Sequence, residues 1–155
     1  MKQLLLSLSI LLLLTACVPA QGAPEKALQN AAQTFVEGYN VRDLSGLDAL
    51  FASPAQGADE LGLDNTRKLA QELVANSKPG DTIELEGFST TRQSLDEANR
   101  LAVVHYDTRV VITNGGVIAF VARAQQNVAL TLVGGRWLIS GGDIPQVTIE
   151  HGSLP

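Results

Sequence analysis

The hydrophobic positions of this chain change their period twice. Residues 4–14 are apolar except for Ser7 and Ser9, and the run ends in Leu14-Thr15-Ala16-Cys17. Beyond a breaker-rich stretch, Leu28, Ala31, Ala32, Phe35 and Tyr39 follow the three-and-four spacing of one helix face, with Pro24 suited to a first helical position and Glu25 to the positive end of the dipole. Asp43 is a plausible cap for a short second helix that would turn Leu44, Leu47, Leu50 and Phe51 inward and stop at Ser53-Pro54. Asp64 or Asn65 could cap a third helix, with Leu69, Leu73 and Val74 on one side and Lys78-Pro79-Gly80-Asp81 closing it.

From Thr82 the period becomes two. Ile83 and Leu85 alternate with Glu84 and Glu86. Residues 101–113 set Ala102, Val104, Tyr106, Val110 and Ile112 against a mixed face holding His105, Asp107 and Arg109. Residues 117–133 keep even parity through Ile118, Phe120, Ala122, Val128, Leu130 and Leu132, which predicts one long bent strand. Parity matching then favours a three-residue loop at Asn114-Gly115-Gly116, because a two-residue loop would oppose apolar to polar faces. A two-residue loop at Gly134-Gly135 matches Leu132 with Trp137 and Leu130 with Ile139. Extended further, that register puts Asp143 opposite Gln126 on the inner face.

The amino-terminal run has the parts of an export signal: Lys2, a short apolar core and small residues before a cut. It is too short for a span, which needs about 20 apolar residues. Leu-Thr-Ala-Cys resembles the lipobox of bacterial lipoproteins, and that resemblance implies cleavage before Cys17 and a diacylglycerol thioether on its sulfur. Cys17 is the sole cysteine, so no disulfide can form within the chain. Residues 1–16 then form a signal peptide, 17–24 a tether, 25–150 one α+β domain and 151–155 a tail. Val18 after the cysteine resembles the outer-membrane sorting pattern if the host is Gram-negative. Loss of Lys2 with the signal leaves 10 basic against 16 acidic residues, a formal charge of −6. That disfavours nucleic acid and anionic headgroups as partners; the membrane would be met through the lipid.

Three helices followed by an antiparallel meander, with Gly38-Tyr39-Asn40 ending the first helix and Arg136-Trp137-Leu138-Ile139 after a Gly-Gly hairpin, resemble the nuclear transport factor two-like superfamily. The resemblance implies a cone-shaped, cystatin-like α+β architecture: three amino-terminal helices packed on a strongly bent antiparallel sheet. It also implies a cavity at the open end, lined here by Phe35, Tyr39, Tyr106, Gln126, Trp137 and Asp143. Apolar walls with a few convergent polar groups are the usual form of a small-molecule site.

Two functions follow. The first is a non-catalytic binding module for an apolar small molecule, a peptide or an envelope partner. The alternative is a cofactor-free enzyme of the ketosteroid isomerase-like kind, in which a buried Asp143 acts as general base and Tyr39 donates to an oxyanion. His105 falls on the outer face and His151 in the tail, so no zinc set forms, and no nucleotide-binding or serine-hydrolase motif is present; no cofactor is expected. Val103, Val111, Ala119, Val121 and Val133, interleaved with polar residues, predict a homodimer through the outer sheet face.

Overall fold

The computed structural model describes residues 22–153. Cys17, the signal segment and most of the tether lie outside the described residues. Among the described residues two α-helices precede five antiparallel strands: α1 Pro24–Val41, α2 Glu60–Ala75, β1 Asp81–Asp96, β2 Leu101–Asn114, β3 Val117–Val133, β4 Arg136–Gly142 and β5 Gln146–His151. The class is α+β, but the expectation of three amino-terminal helices is overturned. In place of the second there is one 3₁₀ turn, Asp48–Leu50. Asp43 does not cap a helix: its Oδ1 accepts from the backbone N–H of Ser45 at 3.0 Å, a local turn that competes with helical bonding. Phe51 is already extended and bridges to Ile139, which leaves too few residues for a helix to propagate.

α2 begins four residues before Asp64. Its cap is Asp59, whose side chain accepts from Gly62 N–H at 3.1 Å. α1 starts with proline at its first turn and ends where Arg42 adopts φ 61°, with its N–H on Tyr39 O and that of Asp43 on Gly38 O. Asn40 then clips α1 to β1, because its amide accepts from Ile83 N–H at 2.8 Å and donates to Ile83 O at 3.2 Å.

The strand order is β1-β2-β3-β4, with β5 also on β3. β3 is long because two short strands share one of its edges: β4 pairs with residues 128–133 and β5 with 121–125. The free edge of β4 is covered by the segment after the 3₁₀ turn, through Ala52 N–H to Ile139 O and Asp59 N–H to Ser140 O, both 2.8 Å. β5 carries the domain one residue beyond the boundary drawn from the sequence.

Bulges change the register at two points that matter. The β2–β3 turn has two loop residues, with Asn114 opposite Val117 and Thr113 opposite Ile118. An extra residue, Ala119, restores inward parity by pairing Ile112 with Phe120. At Gly134-Gly135 the two-residue turn holds, with Leu132 opposite Trp137 and Leu130 opposite Ile139. A second bulge at Ser140 then puts Gly142, rather than Gly141, opposite Val128. A shift of one residue exchanges the faces of a strand. Asp143 therefore neighbours Asn127 instead of Gln126, with its N–H on Asn127 O at 3.1 Å.

Two groups of buried side chains result. One gathers Tyr39, Leu73, Ile83, Val110, Ile112, Phe120 and the alanines 122 and 124; the other gathers Leu28, Ala31, Leu63, Val104, Val128, Leu130 and Ile139. Tyr106 packs against both. The helices lie on the sheet rather than on each other, α1 chiefly on β1 and α2 on β4.

Candidate functional site

Because the helices are held to different strands, a space remains between them above the middle of the sheet. It is a cavity of about 450 Å³. Its walls are Leu28, Ala31 and Phe35 of α1, Leu44, Leu47 and Phe51 of the connection, and Leu69, Ala70 and Val74 of α2. The floor is Leu85, Phe88, Tyr106, Thr108, Val110, Gln126 and Val128. Most of the large wall residues are half-buried, so they face a space the protein does not fill. The stripe spacing that predicted helices thus also marks the wall.

Polar groups enter this space at few points. Phe88 stacks on Tyr106 at 5.6 Å between centroids and 18° between planes. Burial, with a smaller push from the negative charge of Asp143, raises the Tyr106 hydroxyl to about 12, so it is a proton donor at any neutral pH. Gln126, 3 % exposed, donates from Nε2 to Asp143 O at 2.7 Å. The hydroxyls of Thr66 and Thr108 donate to the backbone carbonyls of Gly62 and Glu86 at 2.8 and 3.2 Å. Those hydroxyls are spent on the scaffold, and only their lone pairs are open to a ligand.

Of the six side chains expected to line a cavity, Phe35, Tyr106 and Gln126 do so. Tyr39 is 1 % exposed in the cluster beside Leu73 and Ile83, and its hydroxyl is buried with no hydrogen-bond partner among the described residues. Trp137 is half-buried against the cluster around Leu130 and Ile139. Asp143 is exposed on the other face: Oδ1 accepts from Asn127 N–H at 3.0 Å and Oδ2 from Asn127 Nδ2 at 2.8 Å. Its carboxylate closes the strand end after the bulge. His105 Nδ1 joins the same outer cluster at 3.1 Å from Asn127 Oδ1.

Of the five outer-face residues expected at a dimer surface, Val111 and Val121 are 6 % and 2 % exposed within the single chain, Val103 and Val133 are half-buried and Ala119 is exposed. Around them Arg109 pairs with Glu86 and Glu150, at 2.6 and 2.7 Å, and Arg123 pairs with Asp107.

The sequence reading missed Arg67. It lines the cavity and also an adjoining depression with Asp48, Ser53, Gln56, Glu60 and Asp64, and its guanidinium carbon lies 4.3 Å from the centre of the Phe51 ring. One position along from Thr66, it stands at the edge of the helical stripe, where a basic residue gives no apolar signal. Among the described residues no group of three or more His, Cys, Asp or Glu side chains is placed to hold a metal, and no helix is long and apolar enough to cross a membrane. No known family's model and no curated protein matches the chain in sequence.

Proposed function

We propose that this chain is an exported bacterial lipoprotein, anchored through Cys17 to the cell envelope, whose domain is a non-catalytic binding module for an apolar small molecule. The observation that carries the binding part is the cavity between the helices and the sheet, apolar on its walls with Tyr106 and Gln126 on its floor. Its volume falls in the range of small-molecule pockets, about 300–1,000 Å³. Proton-transfer chemistry has less support. The general base would have been Asp143, and that carboxylate is exposed and held by Asn127. Tyr106, held well above neutral pH, suits hydrogen bonding to a bound molecule.

The anchoring part rests on the Leu-Thr-Ala-Cys sequence. Seven residues from Cys17 to the first helix would keep the domain within roughly 25 Å of the lipid surface. A ligand would be taken from, or presented to, that surface.

Native mass spectrometry of the full chain isolated from the envelope tests both parts. The proposal expects a chain beginning at a lipid-modified Cys17, with an apolar molecule bound one to one, and loss of that molecule when Ala70→Phe drives a ring into the cavity. A chain that keeps residues 1–16, or one that Cys17→Ser leaves in the membrane fraction, would contradict the anchor. Wild-type and Ala70→Phe chains carrying the same ligand would contradict the site.

A further inference from the structure

Among the described residues that line the apolar cavity, Arg67 is the only cationic side chain and Asp48 the only acidic one. None of the ion pairs among the described residues includes Arg67. It is half-buried, with its planar head laid over the Phe51 ring, an arrangement that fixes the guanidinium and leaves its N–H edge free for an acceptor. Asp48, Glu60 and Asp64 share the adjoining depression, but all three are exposed and solvated, so water and salt screen them.

We infer that the ligand is amphipathic: a single apolar chain lying in the cavity, ending in an anionic oxygen head that Arg67 holds at the mouth. This rests on the binding function proposed above and adds the chemistry of the head. A guanidinium fork matches carboxylate and phosphate oxygens in a two-bond contact, and charge-assisted bonds of that kind are about twice as strong as neutral ones. The contact made at the mouth outweighs the diffuse repulsion of three hydrated carboxylates, because screening weakens the latter and hardly touches the former. A free fatty acid and a lipid with a phosphate monoester head share this chemistry.

Equilibrium dialysis of the full chain in zwitterionic lipid nanodiscs, with protein-free nanodiscs as the blank, separates the cases. The probes are decanoate, decyl phosphate, 1-decanol and decylamine, which share one tail. The inference expects at least one anion to bind about tenfold or more tighter than decanol, and Arg67→Met to erase that difference. Arg67→Lys, which keeps the charge without the fork, retains part of it. Preference for decanoate over decyl phosphate identifies the fatty acid type of head, and the reverse identifies the phosphate. Equal binding of decanol and both anions, tightest binding of decylamine, or an anion preference that survives Arg67→Met would overturn the head assignment and leave the binding module standing. Binding of none of the four would overturn the module itself.

Discussion

Replacing Gly62 by alanine tests how the cavity is held open. α2 crosses β4 by bringing Gly62 against Gly141 and Gly142, and a Cβ built at Gly62 would lie 2.9 Å from Gly141 Cα and from Gly142 N, and 2.8 Å from Asp59 Oδ2. Non-bonded carbon atoms settle at about 3.5–4.0 Å, so helix and strand must separate by roughly 0.6–1 Å. Overpacking of this size costs about 1–3 kcal/mol, and the obstacle is backbone, which cannot swing aside. Against that, alanine is up to about 1 kcal/mol better than glycine in a helix. The net expectation is a loss of about 0–2 kcal/mol, the difference between the overpacking and propensity terms. At about 4 °C per kcal/mol for a domain of this size, the melting temperature falls by up to about 8 °C.

Gly141→Ala at the same crossing is the control. Its nearest neighbour is Asp59 Cβ at 3.6 Å, an ordinary contact, so the change stays within about 0.5 kcal/mol. Thermal unfolding followed by circular dichroism on both variants gives the comparison. If Gly62→Ala melts above the wild-type temperature, or if Gly141→Ala costs more than Gly62→Ala, α2 does not rest on β4 through this contact.

Tyr39→Phe removes a buried hydroxyl that has no partner among the described residues, so urea unfolding should show stability unchanged or raised by about 1 kcal/mol; a loss of stability would mean that the hydroxyl is satisfied. Asn40→Ala breaks both bonds that clip α1 to Ile83 and should cost about 1–2 kcal/mol, read as a lower urea midpoint with unchanged slope. Tyr106 should titrate near 12, visible in the ultraviolet as a tyrosinate step that is absent in Tyr106→Phe. A phenol whose folded value is raised binds its proton more tightly when folded. Its contribution to stability is therefore complete below pH of about 10 and lost as the pH rises towards 12. A Tyr106 step near pH 10 rather than towards 12 would remove Tyr106 from its buried place.

Helix faces and strand parity were legible wherever the pattern was long. The stripe from Leu28 to Tyr39 and the even positions of β3 from Phe120 onward point inward as their spacing requires. The 43–51 segment misled because Leu44, Leu47 and Leu50 have helical spacing, yet side-chain-to-backbone bonding at Asp43 and the strand-like pairing of Phe51 consume the run. Bulges leave no periodic trace. The one at Ser140 decided the fate of Asp143, since one added residue turned the most chemically suggestive side chain from the cavity to the opposite face. β5 was missed because Ile144-Pro145 looks like an ending and only Val147 and Ile149 alternate after it. The family resemblance places Tyr39 in the cavity, but its neighbours in the structure are core residues.

The proposed function requires that the space between α1, α2 and the sheet receive an apolar ligand, and methyl-resolved NMR of the Leu- and Val-labelled chain, titrated with 1-decanol, reads this at the cavity itself. Saturable shifts are expected at Leu28, Leu69, Val74, Leu85 and Val128, which line the cavity, while Val41 and Val117 on the exterior stay still. Shifts confined to those exposed methyls, or none that saturate, would contradict it.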